Sequence, residues 1–527
     1  MRKSRAALVA LAAAGVHGLI GTTGVFSQAA APERNVITNA ANALGGKDLI
    51  LSLKTLRIDG YGQLAYQNGG GNITASIDAP QKWVNINGFQ RTIDLEHGRM
   101  RVRQRLVQDF VFAYARNMTG AIRNNQVLDG DIAFNVGADG RATRAAEAAV
   151  RARRIEMLAH PIAIVRAALE LATKVGNLRR MGALQLVDLT TARRDALTLA
   201  VDAGTHLPAW VSWVGPDPNL GDVTFRTSFV GYQSERGVLL PSGFNTTMDF
   251  RAVVQQKLYV DKSTVDGPID DMAAPPEVRS APVPAPQPPV ITVTPVAKGI
   301  WYLKGQGNST LFEFADHLTL FEAYGSEANA KAIIDKARTV VPGKPVTELI
   351  VSHHHFDHTG GLRAAVAEGL TIVTQRGNAA FFEDITARPA KIFPDALGRS
   401  PKPITIKAVD DRLTLKDGSM EVVVYRVMSN SHMANGVLAY VPRERLVAEG
   451  DLVDEGWDIV WWGNSYPDTV KYWKLDVDTD LPVHGSMHSY KDVLQMLQKQ
   501  TRNAQDLCAS VEKAGLSMQG CPVTNTF

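Results

Sequence analysis

The chain has 527 residues, which is too long for one compact core and predicts two or three domains. With 45% hydrophobic and 21% charged residues, its composition is that of an ordinary globular protein and excludes a collagen, a coiled coil and a mainly disordered chain. The 56 basic side chains nearly balance the 53 acidic ones, so the formal charge of +3 creates no field that would favour nucleic-acid binding. Any specificity must come from a local site.

The first residues have the features of an export signal. A basic start at residues 2–5 precedes an apolar run at 6–20 and a small-residue stretch at 27–31. This order is typical of a secretory signal peptide and predicts cleavage near residues 29–31. An uncleaved anchor is the alternative, although the run is shorter than the ~20 apolar residues that a spanning helix needs. We therefore predict a signal at 1–31, a periplasmic or secreted mature chain, and no transmembrane segment after cleavage.

A proline-rich linker divides the rest of the chain. Seven prolines lie between residues 275 and 289, and this composition favours an extended chain over a helix or an inner strand. We place the linker at 273–290 and a first domain at 32–272. In that domain, alternating apolar and polar residues predict half-buried strands at 53–67, 73–86 and 91–105, and helical periodicity extends over 141–173. The first domain is predicted to be a curved antiparallel sheet with helices, an α+β arrangement.

Two motifs of the first domain carry a resemblance. They are Ala-Leu-Gly-Gly-Lys-Asp at 43–48, before a strand, and Gly-Val-Leu-Leu-Pro at 237–241. With them the domain resembles the half-barrel fold of periplasmic lipoprotein carriers. The resemblance implies a concave face that holds a lipid or acyl ligand, and a packed cap on the second domain is the alternative. Three arginines at 151, 153 and 154 either face acidic lipid headgroups or form a solvated helix face.

A histidine-rich motif follows an apolar strand candidate at 349–351. Four metal-capable side chains lie within six residues: His353, His355, Asp357 and His358. In an extended segment His353 and His355 project to the same side, whereas Asp357 and His358 lie past the turn and can reach a second ion. Two metals fit this spacing. A solvated histidine cluster is the alternative, but it would be costly directly after a buried strand. His354 is predicted to be structural.

Three later strand candidates each end in one further ligand-type residue. His432 follows the strand predicted at 421–427, Asp451 follows 446–450, and His484 follows 481–483. Open α/β folds place their sites at such carboxyl ends of strands. The recurrence of the pattern predicts that all seven side chains meet at one edge of the domain.

In this order and spacing the seven residues resemble the metallo-β-lactamase superfamily. The resemblance covers roughly residues 290–500, including a hairpin start at 299–303 and an entry strand at 308–311. It implies an αββα sandwich at 291–500, an α/β fold, followed by a tail at 501–527. It also implies a set of ligands: His353, His355 and His432 for one ion, Asp357, His358 and His484 for the other, and Asp451 as the bridge. The implied cofactors are two divalent ions, usually Zn²⁺, with iron or manganese in some members.

The chain departs from the family pattern at two loops. Residues 431–435 read Ser-His-Met-Ala-Asn where many members have Gly-His-Thr-x-Gly-His, and residues 482–485 read Pro-Val-His-Gly where many have Pro-Gly-His-Gly. Neither change removes a ligand. Both change the local loop shape and leave the substrate open.

The predicted function is hydrolysis, because two ions ~3.5–4 Å apart activate a shared water and polarise the bond under attack. We predict an exported binuclear hydrolase of a small-molecule ester, lactone, thioester or amide, in which the metal-bridging hydroxide attacks and Asp357 orients it. A β-lactamase is one alternative, disfavoured by Asp451 because β-lactam-cleaving members generally lack that bridge. A lipid- or lipoprotein-binding protein with a structural metal domain is the other.

For three further features the sequence allows two interpretations each. Cys508 and Cys521, the two cysteines of the chain, form either a disulfide or two free thiols. His488 either supports the site or is an idle helix histidine. Six aromatic residues either wall an apolar pocket beside the metals or pack helices and loops: Trp457, Trp461, Trp462, Tyr466, Tyr472 and Trp473.

Overall fold

The computed structural model describes residues 31–66, 82–108, 122–251, 253–460, 462–515 and 521. The predicted signal peptide lies outside these residues apart from Ala31, as does most of the strand predicted at 73–86. Among the described residues, no helix combines the length and the apolar character needed to cross a membrane.

The N-terminal region is one large antiparallel sheet. Within the described ranges its strands are β1 Thr55–Ala65, β2 Trp83–Asp94, β3 Arg99–Gln108, β4 Ile122–Asp129, β5 Ile132–Val136, β6 Ala142–Arg144, β7 Lys174–Met181, β8 Leu184–Thr190, β9 Ala196–Asp202, β10 Pro208–Asp217, β11 Gly221–Glu235, β12 Val238–Met248 and β13 Val254–Val265. Their spatial order is β6-β5-β4-β3-β2-β1-β13-β12-β11-β10-β9-β8-β7. The first and last strands therefore pair at the centre, and hairpins extend the sheet to both sides.

Helices cover one face of this sheet. They are α1 Pro32–Ala43, α2 Lys47–Ser52, α3 Glu147–Leu158 and α4 Pro161–Leu169. Helix α4 is almost entirely buried, and its Ile162 and Val165 join Ile37 of α1 in the same core as Leu199 and Leu258 of the sheet. This burial of apolar side chains between helix and sheet stabilises the domain. The predicted α+β arrangement is confirmed.

Two local predictions in this domain were wrong. The segment 91–105 is not one strand, because Asp94 ends β2 and its carboxylate accepts hydrogen bonds from the backbone N–H groups of Glu96 and His97 in a tight turn. Arg153 and Arg154 form neither a lipid-facing nor a solvated surface, whereas Arg151 lines a cavity. Arg153 is buried and donates to the carbonyls of Val127 and Phe134. Arg154 pairs with Asp195, and Arg151 donates to the Val214 carbonyl.

The proline-rich linker also differs from the prediction, because it contains a short helix, α5 Pro276–Ser280. Proline is tolerated in a first helical turn, where its missing N–H would have no intrahelical partner. The helix docks on the first domain: Val278 packs against Val127 and Phe134, and Arg279 pairs with Asp129.

The C-terminal region contains two sheets. The first has strands β14 Thr292–Ala297, β15 Ile300–Lys304, β16 Ser309–Glu313, β17 Leu318–Phe321, β18 Val346–Ile350, β19 Thr371–Gln375 and β20 Thr405–Val409, in that order. The second has β21 Arg412–Lys416, β22 Glu421–Arg426, β23 Val437–Val441, β24 Leu446–Glu449, β25 Thr479–Pro482 and β26 His488–Ser489, also in order. The helices are α6 Glu327–Val340, α7 Phe356–Thr359, α8 Leu362–Glu368, α9 Ala379–Ala387, α10 Ala396–Arg399, α11 Ser465–Trp473 and α12 Tyr490–Lys513.

These elements form four layers. Side chains such as Phe312 and Ile350 of the first sheet and Val424 and Ala439 of the second sheet fill the space between the sheets. Helices α6, α8 and α9 cover the outer face of the first sheet, and α11 and α12 cover that of the second. The predicted αββα sandwich is confirmed. Helix α12 runs through residue 501, where the sequence analysis places the start of a tail.

His160, which caps helix α4, is expected to make the first domain acid-sensitive. Burial, with a smaller effect from Arg91, lowers its pKa to about 3, and its Nδ1 accepts from the Ile162 N–H. An unfolded histidine has a pKa near ~6.5. As the pH falls, the unfolded state therefore binds a proton at a higher pH than the folded state does. The free energy of unfolding keeps its full value above pH ~6.5 and falls by about 1.4 kcal/mol per pH unit below it.

The variant His160→Asn keeps a capping acceptor but does not titrate. Between pH 7.5 and 5.0 we expect the wild type to lose about 2 kcal/mol more unfolding free energy than this variant, measured by urea denaturation. Equal losses in the two proteins would contradict this role of His160.

Candidate metal centre

Four strand ends bring the predicted ligands to one edge of the sandwich. His353 and His355 follow β18, and the short helix α7 then carries Asp357 and His358. In the second sheet, β22, β24 and β25 are followed by the remaining three: His432, Asp451 and His484. Strands β17 to β20 run parallel in the first sheet. In the second sheet β22 and β24 are both antiparallel to β23, and β24 is parallel to β25, so the carboxyl ends of β22, β24 and β25 lie at the same edge.

The first group of candidate ligands consists of His353, His355, His432 and Asp451, whose ligand atoms all lie within 4.8 Å of one another. His353 Nε2 is 2.9 Å from His355 Nδ1, and His432 Nε2 is 2.8 Å from Asp451 Oδ2. The other ring nitrogen of His353 contacts Ser352 Oγ at 2.9 Å, which holds Nε2 toward the group. All four side chains are buried.

The second group consists of Asp357, His358 and His484, again with ligand atoms within 4.8 Å of one another. His358 Nε2 is 3.9 Å from Asp357 Oδ2. The His484 loop is fixed by Asn308, whose side-chain amide donates to the carbonyls of Pro482 and Gly485.

Asp451 stands between the two groups. Its Oδ2 lies 2.8 Å from His432 Nε2 and 3.7 Å from His353 Nε2. Its Oδ1 lies 3.1 Å from His358 Nε2 and 3.0 Å from His484 Nε2. One carboxylate thus offers one oxygen to each group, which is the geometry that a bridging ligand requires.

The turn after β24 makes this placement possible. Asp451 has a left-handed backbone conformation with φ of 61°, and Glu449 Oε2 stabilises the turn by accepting from the Leu452 N–H at 2.6 Å. Gly450 lies against Ser352, whose Oγ would be 2.2 Å from an added Cβ. A side chain at position 450 would therefore push β24 away from the histidine motif.

The electrostatics of the site divide its histidines. Burial holds the pKa values of His353 and His355 well below the usual value, so both are in the neutral form that binds metals. Burial would also lower the pKa of His358, but the carboxylates of Asp451 and Asp357 raise it well above the usual value. Burial would raise the pKa of Asp451, but His358 and His484 hold it well below its usual range.

The donor set fits divalent metal ions. Its seven members, five imidazoles and the two carboxylates of Asp357 and Asp451, present nitrogen or oxygen atoms to two points, as Zn²⁺ sites do. Asp357 has a buried Oδ1 that finds no hydrogen-bond partner among the described residues. A buried carboxylate oxygen without a partner is costly unless a cation or a water is present. The structure therefore supports metal binding by the two groups.

Sequence reasoning missed two residues that orient these ligands. Glu322, at the end of β17, is fully buried, accepts from the Ser352 N–H at 2.7 Å, and lies 3.4 Å from His358 Nδ1. Tyr324 donates to Asp357 Oδ2 at 3.2 Å, and its ring packs edge-on against His358 and His484. Neither lies in a ligand motif, so only the parallel pairing of β17 with β18 reveals their proximity.

The Tyr324 hydroxyl is expected to help position Asp357. The variant Tyr324→Phe removes one hydrogen bond to a charged acceptor, so we expect kcat to fall about tenfold with little change in KM. Steady-state kinetics would measure this. Tyr440→Phe is a matched control, because the Tyr440 hydroxyl donates to the Asp476 carbonyl away from the site. Equal kinetics for the two variants would exclude the positioning role.

The aromatic residues mainly pack the fold. Trp462 stacks on the His432 ring with centroids 4.3 Å apart and donates to the Asp451 carbonyl at 2.8 Å, and Trp457 packs against Trp462. The others lie away from the ligands: Tyr466 bonds Asp480, Trp473 donates to the Arg426 carbonyl, and Tyr472 is exposed. Trp461 lies outside the described residues.

The remaining open features have definite positions in the structure. His354 is buried and packs against Phe381, which fits a structural role. His488 is not a helix residue: it lies on β26, 2.8 Å from the Glu455 carboxylate. Cys508 and Cys521 form a disulfide.

Comparison with known proteins agrees with this geometry. Residues 302–460 match the family model described as the metallo-beta-lactamase superfamily. The C-terminal region is therefore a metallo-β-lactamase superfamily domain, as its motifs predicted. The matched residues include six of the seven candidate ligands and end before His484. No comparison tests the half-barrel resemblance of the first domain, which stays a prediction.

Individual relatives share only parts of the chain. A linear primary-alkylsulfatase from a Pseudomonas species is 37% identical over 75 residues, which are 14% of this chain and 11% of that protein. Among solved structures, a metallo-beta-lactamase from Pontibacter korlensis is 18% identical and covers 40% of this chain and 100% of its own, with a TM-score of 0.31. The sec-alkylsulfatase Pisa1 from a Pseudomonas species is 14% identical, covers 44% of each chain and has a TM-score of 0.33.

Proposed function

We propose that this protein is an exported, binuclear metal-dependent hydrolase of a small ester, lactone, thioester or amide. The observation that carries the proposal is the position of Asp451, with one oxygen facing each group of candidate ligands. Two divalent ions at these groups, with zinc as the proposed metal, would activate water near neutral pH and polarise the bond under attack.

The chain's own residues have distinct roles in this proposal. Tyr324 fixes Asp357 through Oδ2, and Oδ1, which has no partner within the described ranges, would then be available to orient the attacking water. Glu322 and Ser352 hold the imidazoles of His358 and His353 in orientation. The stacked Trp462 shields His432 from solvent on one side.

A substrate panel tests the reaction class. With zinc added, we expect turnover of at least one aryl ester, lactone or thioester, and its loss both in His355→Ala and after chelation. His488→Ala is a matched control for the histidine change, because His488 lies on β26 and contacts Glu455. Turnover that survives both chelation and His355→Ala would refute the metal-dependent mechanism.

Two other substrate classes belong in the same panel. The match to a linear primary-alkylsulfatase favours alkyl sulfates as the second candidate. The candidate bridge Asp451 disfavours β-lactams. We expect turnover of a β-lactam such as nitrocefin to be far slower than that of the best ester or sulfate. Comparable rates would contradict this ranking of the substrate classes.

A second proposal concerns the first domain, which we propose binds an acyl or alkyl chain. A cavity of about 690 Å³ lies between α3 and the sheet. Its walls are largely apolar and include Ile155, Trp213, Phe225 and Phe244, together with Phe393 from the C-terminal domain. Cavities of this size and lining accommodate small apolar ligands.

Dodecanoate is a suitable probe of this cavity. The variant Ala152→Trp would place an indole in the cavity and should clearly weaken dodecanoate binding to the full-length protein, whereas His355→Ala should leave binding intact. Equal binding by Ala152→Trp and wild type would contradict the proposed ligand site.

The proposed periplasmic or secreted location rests on the basic and apolar N-terminal segment, and the disulfide of Cys508 and Cys521 supports it, because disulfides persist in oxidising compartments. Mass spectrometry of the mature protein should give an N-terminus near residues 29–31. An intact N-terminus at Met1 would contradict export by cleavage.

A further inference from the structure

We infer that Asn219, a residue of the first domain, is a positioning residue for the turn that carries Asp357 and His358. The inference rests on the proposed function, because it treats these two residues as metal ligands. It assigns to the N-terminal domain a direct part in building the metal centre of the C-terminal domain.

Asn219 lies in the tight connection between β10 and β11, and this connection is held in one shape. Asp217 Oδ1 accepts from the N–H groups of Asn219 at 2.9 Å and Leu220 at 3.0 Å, which closes the turn. Asn219 is 4% exposed, so its amide is taken out of water and must form hydrogen bonds inside the protein.

The Asn219 side chain binds both ends of helix α7. Its Nδ2 donates to the Phe356 carbonyl at 3.1 Å, and its Oδ1 accepts from Thr359 Oγ1 at 2.7 Å. Thr359 Oγ1 also lies 3.0 Å from the carbonyl of His355. Asp357 and His358 are the two residues between these contacts.

A helix of this length needs such support. Helix α7 has four residues, and short helices are unstable without tertiary contacts because most of their backbone groups have no intrahelical partner. The amide of Asn219 satisfies one of these carbonyls and fixes the hydroxyl of Thr359. These contacts fix the backbone of α7 and thereby the direction in which the side chains of Asp357 and His358 project.

Hydrogen bonds to the C-terminal domain hold the connection between β10 and β11, and they fix the position of Asn219. Both carboxylate oxygens of Asp222 accept from the consecutive N–H groups at 391–393, at 2.7 to 2.9 Å. Arg388 donates to the carbonyls of Leu220 and Asp222. Gly221 has a φ of 66° and lies so close to Pro389 that an added Cβ would be 2.5 Å from its carbonyl oxygen.

Two measurements on the full-length protein test the inference. The first is zinc affinity by competition with a chelator, and the second is hydrogen exchange of the 356–359 amides in metal-free protein. For Asn219→Ala we expect zinc affinity to weaken about 10- to 100-fold, the range found when a residue that orients a metal ligand is removed, and exchange to become about tenfold faster.

The matched control is Asp384→Asn. Asp384 also pairs across the domain boundary, where it accepts from Arg251 at 3.1 Å, but this pair involves neither the connection nor α7. We expect this control to keep wild-type zinc affinity and exchange. If Asn219→Ala does not fold, Thr359→Val with Thr359→Ser as its control gives the same comparison, because only serine keeps the hydroxyl.

The outcomes distinguish the positioning role of Asn219 from the proposed hydrolase function. Zinc affinity and exchange in Asn219→Ala that equal those of Asp384→Asn would overturn the positioning role, while leaving the hydrolase proposal intact. A wild-type protein that binds no zinc would instead contradict the proposed function.

Discussion

Replacing Asp451 with asparagine is expected to lower kcat at least about a thousandfold, the effect of removing roughly 4 kcal/mol of transition-state stabilisation. The carboxylate faces His432 and His353 with one oxygen and His358 and His484 with the other. Asparagine keeps the size of the side chain but offers an amide nitrogen to one group and removes the negative charge. The variant should therefore also lose metal from at least one group, as elemental analysis would measure.

The same chemical change elsewhere in the domain serves as a control. Asp478 is largely exposed and pairs with Arg445 at 2.9 Å. Exposed pairs contribute little, so Asp478→Asn should change stability by less than about 1 kcal/mol and leave kcat unchanged. Kinetics for Asp451→Asn within threefold of this control would show that Asp451 is not the bridge.

Removing the metals is expected to lower the melting temperature of the C-terminal domain by about 10 °C. A ligand at a thousand times its Kd stabilises a folded domain by about 4 kcal/mol, and about 1 kcal/mol shifts the melting temperature of a domain this size by roughly 2 to 4 °C. In the metal-free protein, the negative charge of the buried Asp451 carboxylate is balanced only by protonated imidazoles such as that of His358. Differential scanning calorimetry with and without a chelator would measure the shift.

His355→Ala provides the comparison for this experiment. The variant lacks one candidate ligand of the first group, so added zinc should raise its melting temperature by clearly less than it raises that of the wild type. An identical response to zinc in both proteins would mean that the stabilising metal binds elsewhere.

The candidate ligands can be picked out from the sequence because they follow short apolar strands. His432, Asp451 and His484 are separated by many residues, yet each stands at a carboxyl strand end, and such ends share one edge of a sheet. The spacing of the early motif predicts one group with His353 and His355 and a second with Asp357 and His358, and in the structure these pairs lie in different groups. Metal binding by the two groups stays a prediction.

Other features depend on contacts that no local pattern encodes. Asn219 reaches α7 across a sequence distance of 137 residues, and its turn sequence alone predicts only a hairpin. Tyr324 and Glu322 support the ligands from a neighbouring strand. The linker helix forms because Val278 finds an apolar site on the first domain, a tertiary contact that outweighs the extended preference of its prolines.

Anomalous diffraction at the zinc edge from crystals of the full-length protein would locate bound zinc directly. We expect two peaks per chain, one among His353, His355 and His432 and the other among Asp357, His358 and His484, with Asp451 in contact with both. A single peak, or peaks at other residues, would contradict this expectation.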